Sequence, residues 1–115
     1  MGRETPEPRT EIPPGTLYML ILRTLARLGP MHGYGIAQHI QHTSENVFQV
    51  EEGSLYPALQ RMLIKGWVTA EWAPSENNRR ARYYRLTPAG KKQLQAEISE
   101  FEKVTQAITR VLQPA

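Results

Sequence analysis

Between Arg79 and Lys92 the chain carries six cations (Arg79, Arg80, Arg82, Arg85, Lys91 and Lys92), no acid, and a Tyr83-Tyr84 pair in the middle. This basic segment sits between strand-like runs and a helix start. About a strand's length before it lies GSLYPALQRMLIKG, residues 53 to 66, which reads as a helix with one polar face. A one-faced helix beside a single-sign, aromatic-bearing ribbon is the layout of a DNA-reading helix with a basic wing.

The rest of the composition narrows the class. At 115 residues the chain is one domain by length, and its net charge of +3 understates the local asymmetry, because six of its eleven acids fall before residue 12 or on the last helix and none between Arg79 and Lys92. Cysteine is absent, which excludes disulfides, iron-sulfur ligation and thiol chemistry. The longest apolar run, Leu17 to Leu22, is far short of the roughly 20 residues of a membrane span. No charged-then-apolar leader opens the sequence, and Pro6 stands where a myristoylation signal wants Ser or Thr. These features together predict a soluble, cytoplasmic protein without a lipid anchor.

Residues 1 to 14 hold four prolines (Pro6, Pro8, Pro13 and Pro14) and almost no apolar side chain, so a disordered or extended tail is expected there. Thr16 to Leu28 is apolar nearly all round, which predicts a central helix stopped by Gly29-Pro30. A second helix is expected from about Gly33 to Thr43, with Tyr34, Ile36, Ala37 and Ile40 inward and its two glycines explained by close helix approach. Ser44 to Glu52 reads as a linker with a short extended piece at Val47 to Val50. Ser54 is expected to cap the third helix, with Pro57 in its first turn; Leu55, Ala58, Leu59, Met62 and Leu63 then share one face. After Gly66, Val68, Ala70 and Trp72 alternate with Trp67, Thr69 and Glu71, a polar turn spans Pro74 to Arg80, and Arg82 to Thr87 returns as the second strand of a hairpin. Thr87-Pro88 is an N-cap with proline at the first helical position, opening a last helix to about Gln113. Along it Leu94, Ile98, Phe101, Thr105, Ile108 and Leu112 fall at spacings of 4, 3, 4, 3 and 4, a heptad seam flanked by Val104 and Val111.

The third helix leaves Pro57, Gln60, Arg61 and Ile64 opposite its apolar face, with Ser54 and Tyr56 on the flanks. Gln60 suits bidentate pairing with adenine and Arg61 with guanine, while Ser54, Tyr56 and the first-turn amides suit phosphate. Ordinary solvation of a polar face is the competing account for any lone helix; the neighbouring hairpin, whose long turn runs straight into Arg79, Arg80 and Arg82, favours nucleic-acid contact. Asn77 and Asn78 read as turn formers, and Tyr83 and Tyr84 must point to opposite faces of their strand.

Catalysis and metal binding find no support. His39 and His42 at i and i+3 lack further ligands at supporting spacing, and His32 reads as a hydrogen-bonded structural residue. No nucleophile, base and orienting group can be proposed together and no phosphate loop is present, so neither an enzyme nor a cofactor or metal site is expected. Glu51 and Glu52 before the third helix read as complements to its dipole.

The segments LGPMHGYGIAQHI (28 to 40), VEEGSLYPALQRMLIKGWV (50 to 68) and RRARYYRLTPAGKKQL (79 to 94), in that order, resemble the PadR family of transcriptional regulators. The resemblance implies an α+β, mainly helical fold: a tail over 1–14, a winged helix-turn-helix over 15–87 and a dimerisation helix over 88–115. It implies a homodimer that binds double-stranded DNA at an inverted-repeat operator, usually as a repressor. The matching DNA-facing positions are Tyr34, Ser54, Tyr56, Pro57, Gln60, Arg61, Arg80 and Arg82, to which the basic run adds Arg79; Leu94, Ile98, Phe101, Thr105, Ile108 and Leu112 fall on the dimer helix. With one helix after the wing, the chain resembles the short subgroup, some of whose members take a small aromatic effector between first and last helices; Tyr18, Met19 and Phe101 are the candidates for such a pocket. The alternative from another class is a winged-helix protein-interaction module without specific DNA recognition.

Overall fold

The computed structural model describes residues 10–13 and 15–114. The expectations for residues 1–9 and Pro14 lie outside them. Along the chain run α1 (Thr16–Leu28), β1 (Met31–His32), α2 (Gly33–Thr43), α3 (Glu52–Ile64), β2 (Val68–Pro74), β3 (Arg80–Leu86) and α4 (Pro88–Leu112).

α1 is apolar on several sides because it packs against α2, α3, α4 and β3. Ile21, Leu22 and Leu25 from α1 meet Ile36 and Ile40 from α2, Leu55, Ala58, Leu59 and Met62 from α3, Val68 and Tyr84 from the sheet and Leu94 from α4 in one core. Gly29, at φ 81°, ends α1 in a conformation a side chain would resist, and its amide donates to the Leu25 carbonyl at 2.9 Å. Upstream of α1, Thr10 forms a parallel bridge with Phe48, so the described end of the tail lies along the 47–50 segment.

Several local expectations need correcting. β1 was not anticipated: Met31 and His32 pair antiparallel with Tyr84 and Tyr83, which makes β3 the middle strand in the order β1-β3-β2. Two residues are too few to show an alternation. Tyr34, expected inward, is 65% exposed. It stands two residues from Ile36, about 200° around a helix, so the two cannot share a face.

α3 begins a turn earlier than expected, with Glu51 in the N-cap position and no side-chain cap bond. Ser54 therefore lies inside the first turn, its amide donating to the Glu51 carbonyl at 3.0 Å, and Pro57 falls in the second turn. The amide that Pro57 lacks would have met the carbonyl of Gly53, an exposed residue, so the break falls where solvent can serve in its place. Leu55, Ala58, Leu59 and Met62 are buried as expected, and Leu63 only partly.

The hairpin strands run longer than read from the sequence. They pair from Val68↔Leu86 out to Pro74↔Arg80, and residues 75–79 close the tip. The Asn78 amide donates to the Ser75 carbonyl at 2.9 Å and Asn78 itself sits at φ 61°, a left-handed turn position that Asn tolerates. Trp72 keeps the same face as Val68 and Ala70, but the ribbon has by then left the core, and Trp72 is 58% exposed.

The start of α4 is tied to the end of α3. The Thr87 hydroxyl accepts from the Gly90 amide at 3.0 Å and donates to the Gly66 carbonyl at 2.7 Å. Gly90 is buried, and a β-carbon there would collide with the Trp67 carbonyl oxygen. Leu94 and Ile98 close onto the core; from Ser99 to Pro114 every residue is exposed. Helix-turn-helix, three-stranded wing and long final helix make a winged helix-turn-helix.

Candidate nucleic-acid interface

α3 turns Leu55, Ala58, Leu59 and Met62 inward, which forces Gly53, Pro57, Gln60 and Ile64 into a strip on its far side, all exposed. A bidentate amide at Gln60 and an apolar side chain at Ile64, 77% exposed, are what base edges in a major groove can be read with. Tyr56 flanks this strip toward the wing and Arg61 and Ser54 flank it toward α1.

On the wing side, a groove of about 450 Å³ opens between α2, α3 and the hairpin, lined among others by Tyr34, Gln38, Tyr56, Trp72 and Arg82. Its floor depends on Gly33: a β-carbon there would sit 2.8 Å from the Tyr56 ring. The close approach expected of the α2 glycines therefore holds at Gly33, whereas the space at Gly35 is taken by Met31 and His32 from the preceding strand. Burial, then the nearby Glu52 and Tyr84, push the Tyr56 phenol above its ordinary value of 10.0. It stays a neutral O–H donor at any physiological pH, as a phosphate contact requires. Tyr34 accepts from Gln38 Nε2 at 2.9 Å, which places a second exposed phenol on the same rim.

Strand alternation sorts the basic run. Arg80 and Arg82 share a face with Trp72 and Tyr84: the Arg80 guanidinium lies 5.9 Å from the Trp72 ring centre and that of Arg82 5.9 Å from Tyr84. Arg85 is on the opposite face, 3.9 Å from Glu71. Of the tyrosine pair, Tyr84 is buried, while Tyr83 packs edge-on against His32 at 5.4 Å. His32 is the structural residue expected, its Nδ1 accepting from the Gly35 amide at 3.0 Å to cap α2.

Arg61 is placed differently from a free reading head. Its Nε donates to the Tyr18 hydroxyl at 2.5 Å, beside an open groove of about 850 Å³ that also touches Ser54 and Pro57. Of the three candidates for an effector pocket, Tyr18 is thus turned to Arg61 and to Trp67, Met19 packs partly buried against the core, and Phe101 is half exposed on α4. On the expected dimer seam, Leu94 is only 6% exposed because it serves its own core, and Ile98 packs partly buried beside it. Phe101, Thr105, Ile108 and Leu112 remain open.

Sequence reasoning singled out neither Trp72 and Gln38 as lining the wing-side groove nor Tyr18 as the partner of Arg61. The alternation that aligned Trp72 with Val68 was the available signal, but it does not say where the core ends. Among the described residues no cluster of three or more metal-binding side chains occurs, and no helix is long and apolar enough to cross a membrane. His39 sits within 3.4 Å of the Thr43 hydroxyl and His42 is exposed.

Comparison with known proteins agrees with this geometry. The transcriptional regulator PadR-like family model matches residues 21–96. A Lysinibacillus sphaericus protein described as uncharacterized protein X is 32% identical over 100 residues, 87% of this chain and 91% of that one. A transposon-encoded 37.1 kDa protein of Streptomyces fradiae is 38% identical over 87 residues, 76% of this chain but 23% of that one. Among solved structures, a transcriptional regulator from Clostridium thermocellum superposes with a TM-score of 0.78 at 27% identity, covering 86% of this chain and 95% of that one. A PadR family regulator from Clostridium difficile gives 0.74 at 29% identity, covering 86% and 100%. With its helix-turn-helix, basic wing and final helix in place, the chain belongs to the transcriptional regulator PadR-like family, whose members are DNA-binding regulators rather than enzymes.

Proposed function

We propose that this chain is a cytoplasmic, homodimeric repressor that binds an inverted-repeat operator and blocks transcription by occluding a promoter. Residues 15–87 form the reading domain and 88–115 the dimerisation helix. Each α3 enters the major groove of a half-site, with Gln60 and Arg61 at base edges and Ser54, Tyr56, Pro57 and Tyr34 at the backbone. Each wing lays Arg79, Arg80 and Arg82 along the adjacent minor groove. A two-fold dimer spaces its half-sites by about 34 Å, one helical turn, or a multiple.

The observation that carries this reading is the shared outlook of α3, α2 and the wing: Tyr34, Tyr56, Trp72 and Arg82 line one groove, with the outer strip of α3 beside it. That surface combines phenol and guanidinium donors of the kind that contact phosphate with an amide of the kind that reads base edges. Fluorescence anisotropy on a labelled duplex of the chain's own upstream region, against a scrambled duplex across a salt series, is the test. Tight, steeply salt-dependent operator binding with two chains per duplex is expected. Weak and equal binding to both duplexes defeats the reading and returns the fold to the role of a protein-interaction module.

A further inference from the structure

Arg61 does not stand free on α3. Besides the bond from its Nε to the Tyr18 hydroxyl, its guanidinium carbon lies 5.7 Å from the centre of the Tyr18 ring. That ring is itself held edge-on by Trp67, with centroids 5.5 Å apart. Tyr18 is partly buried on α1, which packs against α2, α3 and α4, so the ring behind Arg61 is anchored to the core helix.

A long arginine side chain on an exposed helix flank must give up rotamer freedom before it can present its fork to a base. With Nε bound to the Tyr18 hydroxyl at the rim of the ring, part of that freedom is already gone in the free protein. The bond uses one of five N–H donors. The four on the terminal nitrogens remain for the paired O6 and N7 acceptors of a guanine, and the groove beside them is open. On the helix wheel Arg61 lies about 100° from Gln60 toward α1, so without this hold nothing keeps it near the reading strip.

We propose that Tyr18 is a positioning residue for operator recognition: it holds Arg61 in the orientation in which its terminal nitrogens read a guanine. The inference rests on the reading of Arg61 as a base contact. Tyr18 touches no DNA and acts only through the arginine.

The test uses the full chain with Tyr18→Phe, Arg61→Ala and the double variant, titrated against duplexes in which each base pair of the half-site is replaced in turn. Arg61→Ala is expected to erase the preference at one base pair of each half-site, a loss of roughly 5- to 140-fold. Tyr18→Phe keeps the ring and loses only the hydroxyl. It is expected to weaken the preference at that same base pair by about fivefold, with preferences elsewhere, the salt slope and the unfolding temperature unchanged. The double variant should match Arg61→Ala. If Tyr18→Phe behaves as wild type while Arg61→Ala loses its preference, the positioning role is overturned and the base contact stands. A uniform loss over all duplexes in Tyr18→Phe overturns it in favour of a general structural role. No change of preference in Arg61→Ala overturns the base contact and the positioning role together.

Discussion

Three arginines of β3, close together in sequence, end in two different electrostatic settings because a strand turns successive side chains to opposite faces. Arg80 and Arg82 stack on Trp72 and Tyr84 on the face that borders the groove, whereas Arg85 meets Glu71 on the other. Arg80→Ala should weaken operator and scrambled DNA by similar factors and lower the salt slope by about 0.9 for each phosphate left without its cation. Arg85→Ala should leave both affinities and the slope near wild type, since its charge is already offset and points away. Anisotropy titrations of the two variants over a salt series separate these outcomes. His32 makes a different kind of prediction. Its ring caps α2 and rests against Tyr83, so His32→Ala should cost about 1 kcal/mol of stability through loss of the cap. Denaturant unfolding measures that, and His32→Asn should recover most of it. At this scale the structural histidine and the exposed position of Gln60 stood out in the sequence. The pairing of Arg61 with Tyr18 did not, because the two lie on different helices and no spacing rule links them.

At the scale of elements, the clearest sequence signals proved to be the punctuation. Thr87-Pro88 opens α4 where expected, and Gly29 and Gly66 close α1 and α3 in left-handed conformations. Gly90 is less obvious, since a glycine in the first turn of a helix only weakens it by propensity. Its reason is the Trp67 backbone, which occupies the space of a side chain and lets α4 leave the hairpin at close range. Gly90→Ala should therefore destabilise the protein despite the better helix former, by about 1 to 3 kcal/mol for an overpacked site. A raised or unchanged melting temperature would mean that the α4 start shifts freely. The misreadings differ in cause. α3 starts at Glu52 through exposed residues, with the Ser54 and Leu55 amides donating to the Glu51 carbonyl. β1 is set by partners far along the chain, Tyr83 and Tyr84 pairing with Met31 and His32. Local propensity cannot carry that information.

For the whole molecule, the far half of α4 is the part a single chain leaves unfinished. Phe101, Val104 and Ile108 are 50%, 45% and 53% exposed, and Val111 and Leu112 more so. Their heptad spacing was plain in the sequence; that Leu94 belongs to the chain's own core was not, because a seam drawn from periodicity has no marker for where one protomer stops and another begins. Pairing two such helices about a two-fold axis buries each residue twice, at roughly 1.5 to 3 kcal/mol for each fully buried large side chain, enough to hold a dimer against its association cost. Ile108→Glu puts two carboxylates into that seam. Because Ile108 lies beyond the core, the variant should keep the winged domain folded as a monomer, with that domain's helical signal retained below its melting temperature. Sedimentation should show it as one chain at concentrations where wild type is two, and its operator affinity should fall to that of a single half-site. A dimeric Ile108→Glu, or a wild type that sediments as a monomer, would place the two-fold contact elsewhere or remove it, and with it the requirement for an inverted repeat.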